Sequence, residues 1–230
     1  MIGYKNKFVV ALGGSVAFPE KIDTNFLSRF CSFIKERVKK GDKFVIVVGG
    51  GKTARAYQEA CSKIKKISFA EKDWIGIFAT KLNAYFLKAI FEKIANSSLF
   101  DKRFKIKKFN ERPVIIASGW EPGWSTDFVA VQIACDLKIK DVIVLGKPSY
   151  VYTSDFEKDK NAKPIEAMRW DEFLKIIPSK WTSGMKVPVD PVAARLAKKE
   201  KIKVIVANGR NLPNFRKILE NKKFRGTILS

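Results

Sequence analysis

Two stretches of the sequence decide the fold: FVVALGGS at residues 8–15 and FVIVVGGGKT at residues 44–53. In both, an apolar run leads directly into glycines, which is the pattern of a buried strand that ends at a ligand-binding loop. Between the two stretches, apolar residues recur at helical spacing, at Phe26, Leu27, Phe30, Ile34 and Val38. Together these patterns predict a βαβ unit, and with it a parallel sheet.

The remainder of the chain repeats this alternation. Apolar runs predict further strands at residues 114–117, 142–145 and 202–207. Helical spacing predicts helices over residues 52–61, 73–95, 126–137 and 192–199. The polar, basic stretch 96–112 is predicted to be a surface excursion. Alternating strands and helices are typical of the α/β class, and because no long linker interrupts them we expect one domain over residues 1–230.

Length and composition limit the class of protein. With 230 residues, of which 46% are hydrophobic, the chain can bury a large core. No apolar run reaches the roughly 18 residues of a membrane span, and residues 1–7 lack a signal-peptide core, so we expect a cytoplasmic protein. The three cysteines, Cys31, Cys61 and Cys135, have no histidine to assist them as metal ligands, and they are interpreted as core residues rather than as a metal site.

The formal net charge of +22 makes nucleic-acid binding an alternative to consider, because lysine-rich faces gain affinity from counterion release. The lysines nevertheless recur along the whole chain, are mixed with acidic residues, and lack an aromatic stacking pattern. This distribution favours a solvated, lysine-biased surface, so nucleic acid is not the expected partner. A basic crevice for small anions is compatible with either interpretation.

The sequence GGGKT at residues 49–53 ends like a Walker A motif, but its spacing is wrong. That motif needs a glycine five positions before the Gly-Lys pair, and Ile46 stands there, inside the predicted strand. The glycine amides could still bind phosphate, and Arg55 could add a charge-assisted contact. A tight turn beside an exposed arginine is the alternative interpretation of this loop.

Four groups of residues, two of which include the glycine loops above, occur in a specific order: ALGGS (11–15), VGGGKTAR (48–55), DWIG with TKLNA (73–76 and 80–84), and PGWSTD (122–127). GMK (184–186) and PVAA (191–194) continue the series. This order resembles the amino acid kinase superfamily and, within it, the archaeal type of uridylate (UMP) kinase. The resemblance implies a three-layer α/β/α sandwich around a mostly parallel sheet. It also implies an acceptor-binding part at about residues 1–140, a nucleotide-donor lobe at about 141–230, and assembly into a homo-oligomer, usually a hexamer.

The resemblance further implies transfer of the γ-phosphoryl group of ATP to UMP, with Mg²⁺ accompanying the nucleotide. It assigns acceptor binding to Gly50, Asp73, Gly76, Trp120, Glu121, Pro122, Gly123, Trp124, Ser125 and Thr126. Within this set, Asp73 would accept hydrogen bonds from the UMP ribose, and the loop 120–126 would enclose the base and the ribose. It assigns binding of the donor nucleotide to Gly13, Gly14, Ser15, Gly51, Arg55, Gly146, Lys147, Tyr152 and Asp155. The implied catalytic residues are Asp127, Lys186 and Arg55. For Asp127, a purely helix-capping role is the alternative.

Two departures from the family pattern keep other functions open. Ala11 stands where many members have a lysine, so a cation from another loop would be needed, and Lys186 is preferred over Lys147 for this task. The donor-side string at residues 146–149 also differs from the usual one. Another small-molecule phosphate kinase, such as an isopentenyl phosphate kinase-like enzyme, is one alternative. Such enzymes usually employ a histidine for the acceptor phosphate, and this chain has none. A catalytically weak nucleotide-binding or nucleic-acid-binding protein is the other.

Overall fold

The computed structural model describes residues 6–105, 108–109, 112–182, 184–185 and 187–230. Its main sheet has seven strands in the order β3-β2-β1-β4-β8-β9-β7, and every neighbouring pair is parallel except β8 and β9. These strands are β1 (Asn6–Leu12), β2 (Asp42–Val48), β3 (Val114–Ala117), β4 (Asp141–Gly146), β7 (Ala167–Met168), β8 (Lys203–Asn208) and β9 (Thr227–Leu229). A separate antiparallel pair consists of β5 (Val151–Tyr152) and β6 (Pro164–Ile165).

The helices connect these strands and cover the sheet. They are α1 (Gly14–Ala17), α2 (Thr24–Lys39), α3 (Gly51–Ile64), α4 (Phe69–Phe91), α5 (Thr126–Asp136), α6 (Trp170–Ile176), α7 (Pro191–Lys199) and α8 (Leu212–Leu219). A short 3-10 helix, Glu92–Ile94, extends α4. In the described part of the chain, none of these helices is both long enough and apolar enough to cross a membrane.

Two hydrophobic cores lie on opposite faces of the sheet because successive strand residues point in opposite directions. In β1, Val9 and Ala11 pack into the core that is covered by α5, α6 and α7. Val10 and Leu12 pack into the other core, which α1, α2, α4 and α8 cover. Strands buried on both faces explain the unbroken apolar runs in the sequence. The predicted α/β class and three-layer sandwich are therefore confirmed.

The structure corrects two predictions of local structure. The long helix begins at Phe69 rather than Asp73, because the Ser68 hydroxyl caps it by accepting from the Glu71 N–H at 3.1 Å. The stretch 96–112 is not wholly a surface excursion: Phe100 is 1% exposed and forms a parallel bridge with Ala117. The sequence pattern failed there because Phe100 is a single buried residue among polar and partly exposed neighbours, which leaves no periodicity. The single-domain assignment stays a prediction.

Candidate active site

A cleft of about 260 Å³ lies where the glycine loops after β1 and β2 meet the amino-terminal half of α4 and the start of α5. Its position at the carboxyl ends of parallel strands is the usual place for ligand binding in an α/β sheet. The residues that line it are Gly14, Ser15, Gly50, Gly51, Ala54, Arg55, Gln58, Asp73, Gly76, Ile77, Thr80, Gly119, Trp124, Ser125, Thr126, Asp127, Trp181, Gly184, Met185, Val187 and Asp190.

The first two glycine loops pack backbone against backbone. A Cβ atom on Gly14 would lie 2.1 Å from the Gly51 nitrogen, and one on Gly51 would lie 2.4 Å from the Phe18 oxygen. Gly51 also has a φ of +66°, a conformation that side chains disfavour. Glycine is therefore required at both positions. The same absence of side chains leaves the loop backbones open to the cleft at the start of α3, where helix N–H groups favour anions.

The structure confirms that GGGKT is not a Walker A loop. Strand β2 continues through Ile46 to Val48, and α3 begins at Gly51, so there is no wrap-around loop. The Lys52 ammonium lies 3.3 Å from the Glu20 carboxylate instead of lining the cleft. The nearby cation that does line the cleft is Arg55, which is exposed and makes no ion pair with any other described residue.

Two buried polar side chains of α4 hold the loops in place. The Asn83 amide donates to the carbonyl oxygens of Gly49 and Gly50, at 2.9 and 3.1 Å. The Thr80 hydroxyl accepts from the Gly119 N–H at 2.8 Å and donates to the Ile77 carbonyl at 2.7 Å. Sequence reasoning assigned no role to Asn83 or Thr80. The available signal was a polar residue on the apolar face of a helix.

Asp73 ties α4 to the aromatic loop, which is the stretch 118–125 between β3 and α5. Its Oδ2 accepts from the Gly123 N–H at 2.7 Å, and Gly123 has the left-handed φ of +87° that the loop requires. Asp73 is buried yet lines the cleft. Its predicted contact with a ribose stays a prediction, and the carboxylate has a second task, which is to fix the loop opposite α4.

The aromatic loop presents only part of its predicted residues to the cleft. Trp124, Ser125 and Thr126 line it, together with Gly119. Trp120 is 3% exposed, and its indole N–H donates to the Phe100 carbonyl at 3.0 Å, so its side chain belongs to the core. Trp120, Glu121, Pro122 and Gly123 do not line the cleft, so their proposed contacts with an acceptor gain no support from side-chain position. Gly76 does line it, and a Cβ there would lie 2.9 Å from the Gln58 amide nitrogen.

Asp127 is not the residue that caps α5. Ser125 does so: its hydroxyl accepts from the Phe128 N–H at 2.9 Å and donates to Oδ2 of Asp190. Asp190 in turn caps α7 by accepting from Val192 and Ala193 N–H groups at 2.8 and 3.1 Å. The capping alternative for Asp127 is therefore contradicted. Its carboxyl group is left facing the cleft beside a second, buried carboxylate.

The electrostatics of this pair are unusual. Burial first, and then the neighbouring charge of Asp190, raise the pKa of Asp127 to about 8. Burial also raises the pKa of Asp190, against the hydrogen bonds from Ser125, Ala193 and Val192. Carboxyl groups with a strongly raised pKa are typical of functional sites. A cation that binds beside Asp127 would favour the ionised form of its carboxyl group. Among the described residues, no group of three or more Cys, Asp or Glu side chains could hold a metal ion.

Four of the predicted donor-side residues line this cleft: Gly14, Ser15, Gly51 and Arg55. The other five do not: Gly13, Gly146, Lys147, Tyr152 and Asp155. The Gly13 N–H donates to the Leu145 carbonyl at 2.9 Å, which joins the first glycine loop to the end of β4, just before Gly146. Beyond it, the Lys147 ammonium pairs with Glu157 at 2.7 Å and the Tyr152 ring stacks on Phe156 at 4.8 Å. The Asp155 carboxylate accepts from the Glu157 N–H at 3.0 Å. Lys186, the preferred substitute cation, lies outside the described residues.

The chain is similar to known proteins over most of its length. A sequence model of the amino acid kinase family matches residues 6–208. The chain is similar to the uridylate kinase of Pyrococcus abyssi, with 34% identity over 205 residues that cover 87% of this chain and 89% of the relative. It is also similar to the uridylate kinase of Sulfurisphaera tokodaii, with 30% identity over 226 residues that cover 97% of this chain and 98% of that one. The crystal structure of the uridylate kinase from Archaeoglobus fulgidus superposes with a TM-score of 0.79 at 27% identity, and the match covers 97% of this chain and 100% of that chain.

Proposed function

Because the chain belongs to the amino acid kinase family, we propose that it is a UMP kinase, which transfers the γ-phosphoryl group of ATP to the phosphate of UMP and so yields UDP for pyrimidine nucleotide synthesis. The family membership expected from the ordered motifs is thereby confirmed. The observation that carries the proposal is that acceptor-side motifs far apart in sequence line one cleft. They do so in a chain whose similar relatives are uridylate kinases.

The cleft supplies the features that phosphoryl transfer needs, which are positioning and charge stabilisation. We assign the acceptor phosphate to the loop at Gly50 and to the guanidinium group of Arg55. The loops at Gly14 and Gly51 face the transferred phosphoryl group, and Asp127 organises the cations around it. Mg²⁺ would arrive with ATP, bound by phosphate oxygens, and would neutralise their charge.

A homo-oligomeric state is a further part of the proposal. It is supported by apolar side chains on the face of α4 away from the cleft, where Phe78, Leu82 and Tyr85 are 63%, 63% and 61% exposed. These residues follow helical spacing and so form one stripe, and an exposed apolar stripe is typical of an association surface. The cytoplasmic location stays a prediction from the sequence alone.

The proposed acceptor is tested by comparing kcat/KM for UMP, CMP, dUMP and isopentenyl phosphate in a coupled ATP-consumption assay. We expect UMP to be preferred and dUMP to be poorer by about tenfold or more, because a hydrogen bond to a charged group contributes about 1.5–3 kcal/mol. No turnover of UMP would overturn the proposed function. Preference for isopentenyl phosphate would instead favour the alternative kinase.

Asp73→Asn isolates the role of the carboxylate in that discrimination. The amide oxygen of asparagine can still accept from the Gly123 N–H, so the loop should keep its position. We expect the ratio of kcat/KM for UMP to that for dUMP to fall towards one, because the neutral amide is a weaker acceptor for a hydroxyl. An unchanged ratio would remove Asp73 from ribose recognition and leave it as a support for the loop.

The missing lysine at Ala11 leads to a second prediction. Lys186→Met should lower kcat with little change in the KM for UMP, because a cation on the transferring phosphoryl group acts mainly in the transition state. Lys147→Met tests the other candidate cation, whose exposed ammonium pairs with Glu157. Full kcat in both variants would reject compensation by either lysine. If kcat falls only in the Lys147 variant, the compensating cation is Lys147.

A further inference from the structure

Trp181 differs from the buried tryptophans of this chain. The indole N–H groups of Trp120 and Trp170 donate to the carbonyls of Phe100 and Ile202, at 3.0 and 3.2 Å, and both rings are buried. Trp181 is partly exposed, lines the cleft, and donates to no acceptor in the described part of the chain. A large ring held open in a ligand cleft exposes apolar surface that a ligand could cover.

The ring of Trp181 is supported at one edge. It meets Phe69, the first residue of α4, in an edge-to-face arrangement with 5.6 Å between the ring centroids and an angle of 88° between the planes. Trp181 lies in the connection between α6 and α7. At the end of that connection, Asp190 accepts a hydrogen bond from the Ser125 hydroxyl. The segment that carries Trp181 is therefore attached to both sides of the cleft, at the start of α4 and at the start of α5.

Helix α4 relates the position of the ring to the phosphate loop, by which we mean the loop at Gly50 that is assigned to the acceptor phosphate. A Cβ atom on Gly50 would lie 3.5 Å from the Gly76 carbonyl oxygen, so the loop lies beside Gly76. Asp73 is about one helical turn before Gly76, and Phe69, with Trp181 against it, is about one turn before Asp73. At a rise of about 1.5 Å per residue, these positions lie about 5 and about 10 Å from Gly76 along the helix axis. Phosphate loop, carboxylate and aromatic ring thus follow one another as phosphate, ribose and base do in a nucleoside monophosphate.

From this arrangement we propose that Trp181 is the surface on which the base of the acceptor nucleotide stacks. The assignment rests on the proposed function and specifies how the same site recognises its acceptor. Stacking on an aromatic ring depends on a planar base and tolerates different bases. Trp181 therefore separates nucleotides from phosphates that lack a base, and it contributes little to the choice between UMP and CMP.

The test measures equilibrium binding without ATP, by isothermal titration of UMP, CMP and ribose 5-phosphate. Trp181→Ala should lower the affinities for UMP and CMP alike, by about 5- to 100-fold, because base stacking on an aromatic side chain contributes about 1–3 kcal/mol. Binding of ribose 5-phosphate should stay unchanged, so the preference for UMP over ribose 5-phosphate should collapse. Trp181→Phe should restore most of that preference. Trp74→Phe is the matched control outside the cleft and should leave every affinity unchanged.

The outcomes separate this inference from the proposed function. If the unaltered chain binds and phosphorylates UMP while Trp181→Ala keeps its preference for UMP over ribose 5-phosphate, the stacking role is wrong and the function stands. If Trp181→Ala lowers the affinity for ribose 5-phosphate as much as that for UMP, the side chain supports its own segment of the cleft and does not contact the base. If the unaltered chain does not bind UMP at all, the proposed function fails first.

Discussion

Asp127→Asn is expected to lower kcat by about 100-fold or more and, at the same time, to raise the melting temperature at neutral and alkaline pH. The loss of activity follows from the position of Asp127 at the start of α5, facing the cleft, where a negative charge would organise cations around the transferred phosphoryl group. Removing one preorganised electrostatic group typically costs about 10²–10³ in kcat. Asparagine has nearly the same shape, so the substitution removes charge without leaving a cavity.

The gain in stability follows from the raised pKa of Asp127, which is about 8 against an ordinary value of 3.8. Between those values the folded chain holds a proton that the unfolded chain has lost, so the free energy of unfolding falls as pH rises. Asparagine has no such dependence. The difference in melting temperature between variant and unaltered chain should be small near pH 4 and reach its maximum above pH 8. Each kcal/mol would shift the melting temperature by roughly 2–4 °C in a chain of this size.

Asp171→Asn is the matched control for both measurements. The hydrogen bond from Lys198 lowers the pKa of Asp171, and the residue lies outside the cleft. Its replacement should leave kcat unchanged and should not raise the melting temperature. Full kcat in Asp127→Asn would remove Asp127 from catalysis. A melting-temperature difference that is constant from pH 4 to pH 9 would contradict the electrostatic account of the Asp127–Asp190 pair.

The sequence was sufficient for the parts of the molecule that repeat a pattern. The runs 8–12 and 44–48 are buried strands because β1 and β2 are covered on both faces, and a two-sided core needs an unbroken apolar run. The glycines that follow them are conspicuous because the two loops touch through their backbones. Residues of several ordered motifs line the cleft at the ends of these strands.

Single contacts between distant segments could not be predicted in this way. The burial of Phe100 and the hydrogen bond to it from Trp120 depend on how the stretch after α4 returns to β3, which no periodicity encodes. The role of Asn83 depends on the approach of α4 to the glycine loop. Trp181 becomes notable only when its segment is seen to reach Phe69. Short helices such as α6 gave too few turns for helical spacing to be recognised.

Arg55→Ala is expected to lower kcat/KM for UMP by about 10- to 100-fold, since a charge-assisted hydrogen bond to phosphate contributes about 1.5–3 kcal/mol. The fold should be unaffected because the side chain is exposed and makes no ion pair with another described residue. Arg55→Lys should recover only part of the activity, because lysine keeps the charge but loses the planar, two-pronged contact with phosphate oxygens. Steady-state kinetics with varied UMP, together with thermal melting of each variant, would measure both effects.

Lys52→Ala supplies the control that decides between two interpretations of GGGKT. Lys52 and Arg55 are cations on the first turns of α3, but the Lys52 ammonium pairs with Glu20 and only Arg55 lines the cleft. If the loop binds phosphate through its glycine amides and Arg55, Lys52→Ala should keep nearly full kcat/KM. A large loss in the Lys52 variant with none in the Arg55 variant would mean that the lysine reaches the phosphates after all. The spacing argument that places Ile46 inside β2, and so excludes a Walker loop, would then be wrong about function although right about backbone geometry.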